Sequence, residues 1–227
     1  MNTFNQTPSP ASPDSLRPTR EEGRLATRHT VLEAARAEFE EVGFEAAGIR
    51  SIARAAGVSS GTVLHHFGSK RELLYAAFFD DLEAAMERAK AAAHGLEEEA
   101  LETRLHALAS SIFADYGRRP RLSRILLRES ILAEPPWDAR FQGQVATLHG
   151  IVTELAATAV ARGELSEGSD LPLLGLAWIS FYTFALLAWA QGARPVCEDP
   201  AGVIARQLAQ HLRGLRAAPS PESEASS

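Results

Sequence analysis

Along most of this chain apolar residues return every three or four positions, and runs that alternate apolar with polar residues are nearly absent. That period belongs to helices, so the spacing predicts an all-α fold. Thr19 followed by Glu22 is a capping-box pattern that opens a first helix. Leu25, Leu32, Ala35, Phe39 and Val42 mark its apolar face, and Gly43 is a C-terminal stop. Ile49, Ile52, Ala53 and Ala56 fit a short second helix that Gly57 breaks. Ser59 caps a third through Phe67. Ser69 with Glu72 is a second capping box, opening a long helix to about Ala93.

Two short helices joined by the tight turn "AGVS", with a first helix across them, have the helix-turn-helix outline. The rest reads as a helical bundle, broken at "HGLEEE", "GRRPR", "AEPPW", "RGELSEGSD" and "GARPVCEDP", with Asp199-Pro200 starting the last helix. The expected organisation is an arm at 1–18, the helix-turn-helix domain at 19–68, a helical bundle at 69–216 and a tail at 217–227. Both ends are rich in Pro and Ser, a composition that favours disorder.

On a helix turning about 100° per residue, Val63 and Phe67 point together into the core, while Gly61 and His65 point to solvent. Thr62 and Leu64 flank that exposed face, and His66 lies nearer the buried side. The paired histidines therefore diverge and make a poor metal site, since helical ligands need three- or four-residue spacing; no metal site is expected. "GVSSGT" lacks the phosphate-loop spacing as well. Small residues at the start of the third helix would let its backbone sink into a major groove, where Ser59, Ser60 and Thr62 can touch base edges or phosphates. An ordinary three-helix subdomain with a polar outer face has the same pattern.

Charge sharpens the picture only when it is divided. The 227 residues carry a net charge of -6, yet Arg17 to Arg71 hold nine Lys/Arg against seven Asp/Glu. A weakly basic end on an acidic body is compatible with DNA binding. The single cysteine, Cys197, excludes an internal disulfide and is expected to be a small, half-buried residue in a reducing cytoplasm. The start of the chain lacks the pattern of a signal peptide. Leu171 to Ala193 contains no charged residue and would be about 35 Å long as a helix, enough to cross a bilayer. Pro172, Gly175, Ser180 and Thr183 within it, and the absence of flanking Lys/Arg clusters, point instead to a helix buried in the protein, with no membrane partner.

Gly43-Phe44, Ile52-Ala53, Ala56-Gly57-Val58-Ser59, Gly61-Thr62, His66-Phe67 and Ser69-Lys70 with Leu73-Leu74 stand in an order and spacing that resembles the DNA-binding signature of the tetracycline-repressor (TetR/AcrR) family of bacterial transcriptional regulators. The resemblance implies a homodimer on a roughly palindromic double-stranded operator. It implies a motif from Ala47 to His66, a reading helix from Ser59 to His66, and a phosphate contact from Lys70. With this resemblance the candidate DNA-binding residues are Gly48, Arg50, Ser59, Ser60, Gly61, Thr62, Leu64, His65 and Lys70. Two departures stand out. Ala47 and Gly48 occupy the positions where the family usually has the Thr or Ser that caps the second helix, and Leu64 replaces a usual Tyr. Arg17, Arg20, Arg24, Arg28, Arg50 and Arg54 can compensate for the lost phosphate donors, and Leu64 can meet a thymine methyl.

The bundle gathers aromatic residues. Phe113, Tyr116, Trp137, Trp178, Phe181 and Tyr182 are the candidate ligand-binding set, implying an apolar cavity for a hydrophobic small-molecule effector; each taken singly fits an ordinary core residue. Gly143, Ala146, Gly150, Thr153, Ala157 and Val160 form a small-residue stripe, expected to join the Leu171–Gln191 helix in a dimer interface. Arg118, Arg119, Arg121, Arg124 and Arg128 are expected to pair with acidic neighbours such as Glu97 to Glu102. A second reading of that run is an anionic ligand such as an acyl-CoA. Catalytic signatures and cofactor fingerprints are absent, so neither an enzyme nor a cofactor is expected. The rival to a ligand-responsive regulator is a helical ligand-binding protein with weakened or lost DNA binding, favoured by Ala47, Gly48 and Leu64.

Overall fold

The computed structural model describes residues 19–130 and 134–213. The expected arm, with Arg17, and the expected tail lie outside the described residues. Among these residues there are nine helices and no strand: α1 (Arg20–Val42), α2 (Ile49–Ala55), α3 (Ser60–Phe67), α4 (Lys70–His94), α5 (Leu101–Arg118), α6 (Pro120–Ser130), α7 (Trp137–Ala161), α8 (Leu171–Gln191) and α9 (Pro200–Leu212).

Local chemistry sets the boundaries. The Thr19 hydroxyl accepts the Glu22 amide at 3.2 Å while the Glu22 carboxylate takes the Thr19 amide at 2.6 Å, a complete capping box. Ser59, Asp170 and Asp199 cap α3, α8 and α9 through side-chain oxygens. The second expected box is only half made. Ser69 accepts the Glu72 amide, but the Glu72 carboxylate accepts the Trp137 indole N–H at 2.7 Å and ties α4 to α7. Gly57, at φ +68°, makes the turn between α2 and α3, a left-handed conformation that other residues rarely adopt.

The long helix α4 runs from the three-helix unit into the body, packing on α1 and α3 near its start and along α5 beyond. In the body α7 lies along α8, and α9 crosses α5 and α8. Val31, Leu32, Phe39, Ile52 and Val63 form one continuous core with Leu73, Leu74, Leu105, Leu155 and Trp178. The α7–α8 approach depends on Gly175: a Cβ there would lie 2.9 Å from His149 Nε2 and from Thr153 Oγ1.

Three expectations change. Leu25 and Val42 are exposed, because burial on α1 begins at Val31 and ends at Phe39. The α8 helix is long and apolar enough to span a membrane, yet only one side is buried; Leu173, Leu176, Phe184 and Leu187 on the other side stay exposed. The arginine run pairs elsewhere than Glu97 to Glu102. Arg118 meets Asp115, Arg119 meets Glu33 and Asp81, and Arg128 meets Glu129. The carbonyls of Glu97, Glu98 and Glu99 take the Arg162 guanidinium instead.

Candidate functional site

Helix α3 is held by its inner side and free on its outer side. Val63 is fully buried and Phe67 nearly so, with the Arg28 guanidinium 5.6 Å from the Phe67 ring centroid. Gly61, Leu64 and His65 are exposed, and Ser60 and Thr62 are half-buried. Leu64, a large apolar group, keeps 45% of its surface in water. Ser59 Oγ accepts the Thr62 amide at 3.0 Å and lies 2.9 Å from the Thr62 hydroxyl, which fixes the start of the helix. A Cβ at Gly61 would sit 3.5 Å from Ser59 Oγ, so the fold tolerates alanine there.

The two histidine rings lie 5.9 Å apart at 74°, and His65 alone faces solvent. Burial, helped by His65, Arg24 and Arg28, holds the His66 imidazole below its ordinary pKa. The half-buried His66 ring is thereby held neutral at physiological pH, between His65 and Phe67.

The start of α2 is unusual. Gly48 sits at its N-cap in extended conformation and offers no capping side chain. The Glu38 carboxylate of α1 fills the role: it accepts the Ser51 hydroxyl at 3.0 Å and reaches the Gly48 amide at 3.5 Å. An anion at a helix N-terminus is electrostatically favourable, but here it occupies the end that would attract a phosphate. Arg50 and Arg54 are exposed, with no ion pair among the described residues.

Lys70 departs from the expected phosphate contact. Its ammonium donates to the carbonyls of Phe44, Glu45 and Ala47 at 2.8, 3.2 and 3.1 Å and lies 4.7 Å from the Phe44 ring centroid. All three N–H donors are engaged, so Lys70 fastens the α1–α2 turn to the start of α4. Its neighbour Arg71 is exposed and only loosely paired with Glu129, at 4.0 Å, which leaves it as the available cation at this helix N-terminus. Glu38 and Arg71 both escaped the sequence reading. Arg71 is adjacent to a motif residue and could have been found; Glu38 is ten residues from Gly48 and carries no periodic signal.

The aromatic candidates divide into three places. Phe113, Tyr116, Trp178 and Tyr182 form a buried cluster, with Trp178 stacked on Tyr182 (5.4 Å, 6°) and Phe113 5.8 Å from Tyr182. The Tyr182 hydroxyl donates to that of Tyr116 at 3.5 Å. Burial pushes the Tyr116 phenol up to about 12 and Tyr182 well above its ordinary value, so both stay neutral. Trp137 instead stacks on Phe79 beside Tyr75, and Phe181 lies against His211 of α9.

Beside Tyr116 a cleft of about 370 Å³ opens between α4, α5 and α6. Its floor is Phe78, Leu82, Ala85, Ile112, Leu122 and Leu126, and its rim is charged. The rim is also the joint with the three-helix unit. The nearly buried Arg36 of α1 pairs with Glu33 at 2.8 Å and Asp81 at 2.7 Å, and Arg119 reaches the same two carboxylates. Burial raises the Asp81 pKa in spite of both arginines. The chain ends of α1 and α6 cap each other: Arg121 donates to the carbonyls of Glu41 and Val42, and the Glu40 carboxylate accepts the amides of Arg121 and Leu122.

A family model described as bacterial regulatory proteins, tetR family, matches residues 31–77, which run from α1 through the helix-turn-helix into α4. UidR, a helix-turn-helix transcriptional regulator of Escherichia coli, is 28% identical over 140 residues, covering 62% of this chain and 69% of UidR. TtgR, a regulator of the same type from Pseudomonas putida, is 27% identical over 210 residues, or 90% of this chain and 98% of TtgR. A crystal structure from Mesorhizobium loti assigned to the TetR family superimposes with a TM-score of 0.68 at 17% identity, covering 88% of this chain and 100% of that one, and so shares the fold. Residues 31–77 thus carry the DNA-binding helix-turn-helix described by the tetR-family model, and the chain is similar to helix-turn-helix transcriptional regulators over 62% to 90% of its length.

Proposed function

We propose that this regulator is a cytoplasmic homodimeric repressor that reads a roughly palindromic operator with α3 and is modulated by an apolar small molecule bound in the α4–α5–α6 cleft. The carrying observation is the asymmetry of α3: its inner residues Val63 and Phe67 are locked in the core while Gly61, Leu64 and His65 face solvent and Ser60 and Thr62 are only half-buried. Residues 19–68 act as the reading unit and 69–216 as the effector and dimerisation unit. Repression is the usual mode of the family.

Ser59, Ser60, Thr62 and His65 supply polar groups for base edges and phosphates, Leu64 an apolar contact, and Arg50 with Arg71 the phosphate neutralisation. Each neutralised phosphate contributes about 0.9 to the slope of log affinity against log salt. Arg50→Ala should flatten that slope by about one unit and weaken all sequences nearly alike. Fluorescence anisotropy with the DNA flanking the protein's own gene, at four salt concentrations, measures it; an unchanged slope removes Arg50 from the interface.

Gly48 gives a test in the opposite direction. Its backbone (φ −118°, ψ 135°) suits an N-cap residue, and an added Cβ meets nothing within 4 Å. Gly48→Ser should stabilise α2 by a few tenths of a kcal/mol, the usual gain of Ser over Gly at an N-cap. It should also raise operator affinity severalfold by supplying a phosphate donor. Unchanged affinity would mean that the start of α2 does not face the DNA backbone.

The second reading, a ligand-binding protein that has lost its operator, draws on the same groups: Glu38 at the α2 N-terminus and the fully engaged Lys70. Absence of any binding to that flanking DNA at low salt, with the protein folded, would favour it. For the effector, the cleft replaces most of the aromatic set. Tyr116 forms one wall, and Phe113, Trp178 and Tyr182 back it.

A further inference from the structure

The rim of the cleft selects a ligand class, an inference that rests on reading the cleft as the effector site. Near α1 the charges cancel: Glu33 and Asp81 face Arg36 and Arg119. At the other end they do not. Asp115 is shared by two guanidinium groups. Arg88 binds it through Nε at 3.1 Å and Nη2 at 2.9 Å, and Arg118 through Nη1 at 3.3 Å. One carboxylate thus faces two cations, and a single positive charge is left over. Asp115 is nearly buried, with 14% of its side chain exposed, whereas Arg88 and Arg118 keep 49% and 73% in contact with water. Both arginines therefore have N–H groups to give. The acidic residues nearest on α4, Glu83 and Glu87, line the separate groove towards Gln144 of α7 and do not offset the surplus.

We infer that the effector is an amphipathic monoanion: a compact apolar body on the floor, and one carboxylate or similar acidic head on Arg88 and Arg118. A cationic head would meet the surplus positive charge. A neutral polar head would forgo a charge-assisted hydrogen bond, which is about twice as strong as a neutral one. A dianion would overfill a site with one charge to spare. The Tyr116 phenol, neutral at all physiological pH values, adds no competing charge at the cleft wall.

The test uses the full-length protein and three scaffolds, 4-phenylbutanoate, decanoate and 1-naphthylacetate, each with its primary alcohol and amine, read by calorimetry and by thermal shift. For at least one scaffold the acid should bind about tenfold tighter than its alcohol, and the amine weakest of the three. Arg118→Gln should bring the acid down to the affinity of its alcohol and leave the alcohol unchanged; Arg118 is exposed, and an unaltered melting curve of the free variant confirms the fold. The acid advantage should also shrink as salt rises. If alcohols or amines bind as tightly as the acids, the head-group assignment is overturned while the cleft stands as a binding site. If no member of any scaffold binds up to millimolar concentration, both the cleft reading and this inference are overturned.

Discussion

Placing glutamate at both Leu176 and Phe184 is expected to leave a folded monomer whose operator affinity is weaker by a hundredfold or more. Leu173, Leu176, Phe184 and Leu187 run along one side of α8, at 55, 55, 56 and 36% exposure. Alongside them on α7 lie Val145, Ala146, Gly150 and Ala157, also exposed. These four large side chains, with the exposed Ser180 between Leu176 and Phe184, give α8 a mainly apolar outer face, the kind of surface that marks an interface. The small residues of α7 let a facing helix come close.

Burying a Leu or Phe side chain contributes about 1.5–3 kcal/mol, and in a two-fold interface every residue counts twice. Glutamate at two positions removes that contribution and sets four like charges against one another. A monomer then loses the tether between half-sites, and avidity of roughly 10²–10⁴ goes with it. Because both side chains already face water in the single chain, the helix content and melting curve should change little. Light scattering after size exclusion, beside operator anisotropy, reads both effects; a variant that stays dimeric would move the interface off α8.

Trp178→Ala should destabilise the protein by about 3–5 kcal/mol, the range for removing a large buried aromatic. Trp178 is fully buried at the centre of the body and stacks almost parallel on Tyr182. Its removal would also loosen the wall behind Tyr116, since Tyr182 is the hydrogen-bond partner of that phenol. For a chain of this size 1 kcal/mol corresponds to roughly 2–4 °C, so the melting temperature should fall by more than about 6 °C.

Trp178→Phe is the informative contrast. The Trp178 indole N–H is buried without a hydrogen-bond partner, and an unmade bond of that kind costs about 1–3 kcal/mol. Phenylalanine keeps most of the ring stack and discards the orphan donor. Its net effect should stay within about 1.5 kcal/mol of wild type, far from that of alanine. Equal losses for the two variants would mean that the N–H is satisfied by water in solution.

Much of this molecule was legible in order along the chain. The capping box at Thr19, the stops at Gly43 and Gly57, the caps at Ser59 and Asp199, and the inward pair Val63 and Phe67 all follow from local rules. Backbone hydrogen bonds, φ preference and helical period act over a few residues, and a sequence states them directly. The family signature added the helix-turn-helix assignment.

What the sequence left open depends on pairs far apart in the chain. Lys70 looked like a phosphate contact until the carbonyls of Phe44, Glu45 and Ala47 were placed around it. Gly48 looked like a missing cap until Glu38 arrived from α1. The aromatic residues of the body read as one pocket, whereas packing sent Trp137 to α4, Phe181 to α9 and only Tyr116 to a cleft. Composition makes α8 apolar all round; which half becomes core and which half remains a bare face is decided by α5, α7 and α9. Periodicity and capping residues therefore determined most helices, their ends and the outward face of α3. Only the tertiary structure decided which charges are spent and which remain free, because Coulomb and contact energies depend on distance in space, and the chain order does not contain it.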